Sequence, residues 1–243
     1  LSKYITPDAE MSDLITELSG PIEELKNTPI GAATDVLLVG DRTVCRVEEC
    51  NLGNVIADAM RAETGTQLAI MNGGGIRANI EPGEITLGDV LLVQPFGNLI
   101  STFELKGADV VAALENGVSA LEVVDGKVVR QGAGGRFPQV SGLRYTIDPT
   151  QAPGSRIVSV EVLGEDGEYA PIDPEAVYSV VTNNFMRTGG DGYTVLAENA
   201  INPYDFGRVD YEALAAYLAA NSPITAENEG RISFVNAEVA PME

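Results

Sequence analysis

Phe96 and Phe185 stand in short polar loops, Pro95-Phe96-Gly97-Asn98 and Asn184-Phe185, the latter running on to Gly189-Gly190-Asp191-Gly192-Tyr193. An aromatic ring in a polar, glycine-flanked loop is a candidate for ligand contact as well as for core packing. Asn72-Gly73-Gly74-Gly75-Ile76-Arg77 is a second feature, because three successive glycines let a backbone either turn tightly or approach a ligand closely. Of fifteen basic residues eleven are Arg and four are Lys. The planar Arg fork matches carboxylate or phosphate oxygens two at a time. Taken singly, each feature has an ordinary explanation: a tight turn, a helix stop, a loop, a solvated cation.

The residue types that are missing narrow the chemistry. The chain has no histidine, which rules out serine triads and the usual mononuclear zinc sites. Carboxylate-only calcium or magnesium sites stay open, but no D-x-[DN]-x-[DN]-G run occurs. Any hydrolytic chemistry is therefore expected to lie elsewhere, with no metal held here. A net charge of −21 and a pI near 4.2 exclude the basic face that nucleic-acid binding needs. A small anion can still be held where a few cations converge. Cys45 and Cys50, in Cys45-Arg46-Val47-Glu48-Glu49-Cys50, are either free buried thiols or a short-loop disulfide. The disulfide is the favoured reading; it implies an oxidising compartment and would fix the geometry around Arg46. No apolar run is long enough to cross a bilayer. The chain begins with Leu1, and it is expected to be part of a longer polypeptide.

The elements that must position these residues follow from periodicity. Residues 8–26 read as an amphipathic helix with Met11, Leu14, Ile15, Leu18, Ile22 and Leu25 at helical spacing, interrupted at Gly20-Pro21. Strands are expected over 30–40, 67–71, 99–105, 157–163, 177–182 and 231–235, with another through Ile147, and helices over 52–63, 108–121 and 211–220. Thr86-Leu87-Gly88-Asp89 has the form of a capping box, opening a short helix that Pro95 must end, which delivers Phe96 to a loop. Without a regular βαβ rhythm the fold class is α+β.

Taken together and in order, several segments resemble the C-terminal domain of the 5′-nucleotidase family, which includes ecto-5′-nucleotidase and the periplasmic UDP-sugar hydrolase. They are Cys45-Arg46 with Glu49 to Asn54, Asn72 to Arg77, Gly83 to Thr86 with Asp89-Val90, Pro95 to Asn98, Gln139 to Gly142, and Thr182 to Tyr193. The resemblance implies a single mixed α/β domain over 28–243, preceded by an interdomain linker helix over 1–27. It also implies that Phe96 and Phe185 sandwich a nucleobase, whose π-face any aromatic clamp can hold. Asp191 would accept hydrogen bonds from ribose hydroxyls, Arg46 and Arg77 would grip ribose and phosphate, and Asn72 would make a polar contact near the base. Arg42, four residues before Arg46, is a weaker candidate for a second phosphate arginine.

In that family catalysis belongs to a separate N-terminal metallophosphatase domain with two divalent metal ions. None of its Asp-x-His or Gly-Asn-His motifs occurs here, so this chain alone is expected to be inactive. The parent would be a periplasmic or extracellular enzyme hydrolysing nucleoside 5′-phosphates. The alternatives are UDP-sugar hydrolase, cyclic-nucleotide (2′,3′) phosphodiesterase or sulfur-ester hydrolase activity on the same scaffold, or a non-catalytic nucleotide-binding module.

Overall fold

The computed structural model describes residues 8–242. Residues 1–7 of the expected linker therefore lie outside the description. Helix α1 (Ala9–Lys26) is capped by Asp8, whose side chain accepts from the Met11 amide. It continues through Gly20-Pro21, where a break was expected. Proline removes one i→i−4 bond, which one helix can lose and still persist beyond it. Met11, Leu14, Ile15 and Leu25 are exposed along it. Its C-terminal end rests on the start of the short helix Leu87–Val93, where an added Cβ on Gly88 would meet the Lys26 carbonyl oxygen at 2.8 Å.

The chain continues as β1 (Pro29–Thr34), α2 (Arg42–Cys45), α3 (Asn51–Thr64), β2 (Leu68–Asn72), β3 (Gly83–Thr86) and α4 (Leu87–Val93). Then follow β4 (Ile100–Lys106), α5 (Gly107–Val118), the short β5 (Val123–Val124) and β6 (Lys127–Val128), β7 (Pro138–Ser141) and β8 (Leu143–Ile147). The last part holds β9 (Ile157–Leu163), β10 (Tyr169–Pro171), β11 (Val177–Asn183), α6 (Asn184–Arg187), α7 (Thr194–Glu198), β12 (Ile201–Tyr204), α8 (Asp210–Ala220), β13 (Ile232–Phe234) and β14 (Glu238–Val239). The strand expected over 30–40 stops at Thr34, whose hydroxyl turns back to the Val36 carbonyl at 2.8 Å. Helix α4 starts at the expected capping box, with Thr86 and Asp89 bonded reciprocally.

A five-stranded sheet ordered β12-β4-β11-β2-β7 forms the centre. Strands β2 and β11 run parallel, while β4 and β7 are antiparallel to their neighbours. Alternate residues point to opposite faces of a strand, and both faces here are covered. Ala69, Met71 and Val181 join the core beneath α3 and α8, while Leu68, Ile70 and Val180 join the core beneath α5. That double burial explains why β2 is apolar without alternation up to Asn72. A second sheet, β10-β9-β8-β13, packs through Tyr145, Val160 and Val162 into the α5 side.

Strand directions bring four loops to one edge of the central sheet. The parallel pair ends there, at Asn72 and Asn183, and the antiparallel neighbours begin there, with Asn72 opposite Pro138 and Asn183 opposite Ile100. The glycine run, the Phe185 turn, the Phe96 loop and the Gly135 loop therefore converge, where ligands commonly sit outside the carboxyl ends of parallel strands.

Candidate functional site

A cleft of about 540 Å³ opens at this edge, lined by Arg46, Asn72, Gly74, Gly75, Arg77, Phe96, Asn98, Gly135, Phe185 and Asp191. Six of the seven residues singled out in the sequence are on its wall. Arg42 is not; it opens the exposed first turn of α2. Gly74 and Gly75, from the run expected to turn tightly or approach a ligand, are on the wall as well. Asn98 and Gly135 complete it, and neither had been assigned a role.

Phe96 and Phe185 are 58% and 45% exposed, a cost that the apolar core does not explain. Phe185 sits in the first turn of α6, directly after β11, and not in an open loop as expected. The Asn183 side chain caps that turn by accepting from the Met186 amide at 2.8 Å. Gly190 passes directly beneath the ring, where an added Cβ would lie 2.6 Å from two ring carbons. Asn184 and Leu99 tie the two phenylalanine segments together. The Asn184 amide donates to the Leu99 carbonyl at 2.8 Å, and the Leu99 amide donates to the Asn184 side-chain oxygen at 3.1 Å.

Behind the rings a polar chain runs from α6 to Asp191. Asn183 Nδ2 donates to Asn72 Oδ1 at 2.9 Å, and Asn72 Nδ2 donates to Asp191 Oδ2 at 2.7 Å. The Asp191 carbonyl accepts from Asn116 at 3.2 Å, and its backbone is left-handed at φ 55°, which Asp tolerates better than most residues. One carboxylate oxygen is thus fixed by Asn72 while the residue faces the cleft.

The cations come from two directions. Cys45 and Cys50 are joined as a disulfide, which settles the sequence-level choice. Gln139, fully buried on β7, anchors that loop by accepting from the Cys50 amide and donating to the Cys45 and Glu48 carbonyls. Arg46 follows Cys45 and projects into the cleft with its Nε buried and without a hydrogen-bond partner. Burial, followed by the charges of Arg77 and Arg42, pulls its guanidinium below the ordinary value, with Asp191 opposing. Arg77 reaches the same space from the glycine run, 5.6 Å above the Phe96 ring centre and within cation–π range. The glycines themselves are there for close packing: Gly74 donates to the Gly135 carbonyl at 2.7 Å, and an added Cβ would meet the Gly135 Cα at 2.8 Å.

Two aromatic faces, a carboxylate held by an amide, an arginine whose buried Nε has no partner and a second, exposed arginine suit an anionic ligand that carries a flat ring. Among the described residues no group of three or more His, Cys, Asp or Glu could hold a metal ion.

Comparison with known proteins bears on the whole arrangement. Residues 29–198 match the family described as 5′-nucleotidase, C-terminal domain. The trifunctional nucleotide phosphoesterase protein YfkN of Bacillus subtilis is 39% identical over 97% of this chain and 16% of its own length. A snake venom 5′-nucleotidase of Macrovipera lebetinus is 32% identical over 97% of this chain and 59% of its own. Among solved structures, a 5′-nucleotidase precursor from Thermus thermophilus superposes with a TM-score of 0.84 at 46% identity, covering 93% of this chain and 43% of that one. The chain thus spans only part of the length of the relatives it matches.

Proposed function

This chain belongs to the 5′-nucleotidase C-terminal-domain family, and we propose that its cleft is the substrate-binding half of a nucleotide-hydrolysing enzyme. The base stacks between Phe96 and Phe185, the ribose hydroxyls donate to Asp191, and Arg46 and Arg77 take the phosphate. The observation that carries this reading is the convergence of both exposed rings, the amide-held carboxylate and both arginines on one cleft. The parent protein hydrolyses nucleoside 5′-phosphates to nucleoside and phosphate. Its divalent metals and its chemistry reside in another domain, in keeping with relatives of which this chain covers only 59% and 43%, and this chain supplies substrate binding. Helix α1 lies ahead of the matched residues 29–198 and serves as the linker to that domain. The disulfide and the venom relatives support a periplasmic or extracellular setting.

The clamp reads a flat ring and not its substituents, so UDP-sugar or cyclic-nucleotide phosphoesters fit the same cleft, in keeping with the trifunctional name of the Bacillus relative. Calorimetric titration of adenosine, AMP and UDP-glucose into the chain ranks these ligands. A stacked base contributes roughly 1–3 kcal/mol. Phe96→Ala should therefore weaken adenosine binding by about tenfold or more and leave the unfolding midpoint unchanged, because the residue is 58% exposed. Unaltered adenosine affinity in that variant would remove the clamp.

A further inference from the structure

Asp210 is 2% exposed at the start of α8, a carboxyl in the protein interior that no part of the proposed binding chemistry uses. Its amide donates to the Asn98 carbonyl at 2.8 Å. Its side chain accepts from the Tyr211 amide at 2.8 Å and from the Asn98 side chain. Asn98 lines the cleft two residues after Phe96. The next residue, Leu99, bridges to Val209 and carries the reciprocal bonds to Asn184, the neighbour of Phe185. The segment bearing one ring is therefore pinned from behind by Asp210 and tied in front to the segment bearing the other.

We propose that Asp210 is a positioning residue of the aromatic clamp, holding Asn98 and the Phe96 loop through its ionised carboxylate, so that nucleoside affinity depends on its protonation. The inference rests on the nucleotide-binding reading above. Ionised, the carboxylate accepts from both the Tyr211 amide and the Asn98 side chain; protonated, it gives up acceptor strength toward both, and the Phe96 loop loses its rear anchor.

Burial pushes this carboxyl up to about 6, against the hydrogen bonds it accepts. The charged groups on the elements packed around it are Glu212 on α8, Arg208 just before it, Asp58, Arg61 and Glu63 on α3, and Asp89 on α4. Arg208 pairs with Glu63 and Glu212, Asp58 pairs with Arg231, and Asp89 is engaged in its capping box. None of these charges is among the causes of the shift. The chain has no histidine, so no side chain at its ordinary pKa changes charge near pH 6.

The test is calorimetric titration of adenosine into the 243-residue chain at intervals from about pH 5 to 7.5. Adenosine is the probe because a phosphate monoester titrates near pH ~6 itself. Affinity should rise about three- to tenfold across a midpoint near 6, a fraction of what a hydrogen bond to a charged group contributes. Asp210→Asn should bind with a flat profile close to the acid limit of the native chain. Asn98→Ala should flatten the profile as well while retaining Asp210. Asp210→Glu should restore a titration. A flat native profile, or an unchanged profile in Asp210→Asn or Asn98→Ala, overturns the inference while leaving the binding reading intact. No adenosine binding at any pH overturns both.

Discussion

The Arg77 guanidinium lies 5.6 Å from the centre of the Phe96 ring, and its charge also bears on Arg46 across the cleft. In the proposed binding mode, that position reaches both the base and the phosphate of the nucleotide. A charge-assisted bond to phosphate contributes about 1.5–3 kcal/mol and an exposed cation–π contact about 0.5–1 kcal/mol. Arg77→Ala should then weaken AMP binding by more than tenfold and adenosine by only about two- to fivefold. Equal losses for the two ligands, read by calorimetry, would remove the phosphate role. The residues that such arguments need were readable in the sequence where their type was out of place, as with Phe96 and Phe185 among glycines and asparagines. Arg42 was offered on its proximity to Arg46, which says nothing of direction: Arg46 enters the cleft from the loop that the disulfide and Gln139 hold, whereas Arg42 opens an exposed turn off the cleft wall and bears on Arg46 only through its charge. Gly135 carried no signal at all, since its role comes from contact with Gly74 across the sequence.

Helix α4 connects sequence to site most directly at the scale of elements. Thr86 accepts from the Asp89 amide and its own amide donates to Asp89. At the other end the Val93 carbonyl accepts from the Arg77 amide at 3.0 Å, just before Pro95 releases Phe96 into its loop. Thr86→Ala should lower stability by about 1 kcal/mol, the usual loss for an N-cap, seen as an earlier urea midpoint with an unchanged slope. No change in midpoint would mean that packing under α8 holds α4 without its cap. The capping box and proline made this helix legible. The turn holding Phe185 was not, because α6 spans only Asn184–Arg187 and four residues show no periodicity. The order β12-β4-β11-β2-β7 was equally hidden: it depends on pairings between segments far apart in the chain, such as Val180 with Leu68.

Across the whole molecule, two aspartates pull stability in opposite directions with pH. Asp148 accepts from Thr150, Gln151 and Asn236, which lower its carboxyl to about 2. Its folded value lies below its unfolded one, so its contribution is present above the unfolded pKa and is lost as pH falls toward 2. For Asp210 the sign reverses. Its folded value of about 6 lies above the ordinary 3.8; between those limits the native state binds more protons than the unfolded chain, and stability falls as pH rises. Converted at ~1.36 kcal/mol per unit, the loss amounts to about 3 kcal/mol. Such a cost is large for one side chain, and it sits beside a cleft whose rings the same residue anchors, the kind of place where folds retain unfavourable groups. Urea denaturation of the native chain and of Asp210→Asn from about pH 4 to 7 measures it. The native chain should lose roughly 3 kcal/mol relative to the variant across that window, most of it before pH 6.5, whereas parallel stability curves would show that Asp210 ionises in the folded protein as easily as in the unfolded one.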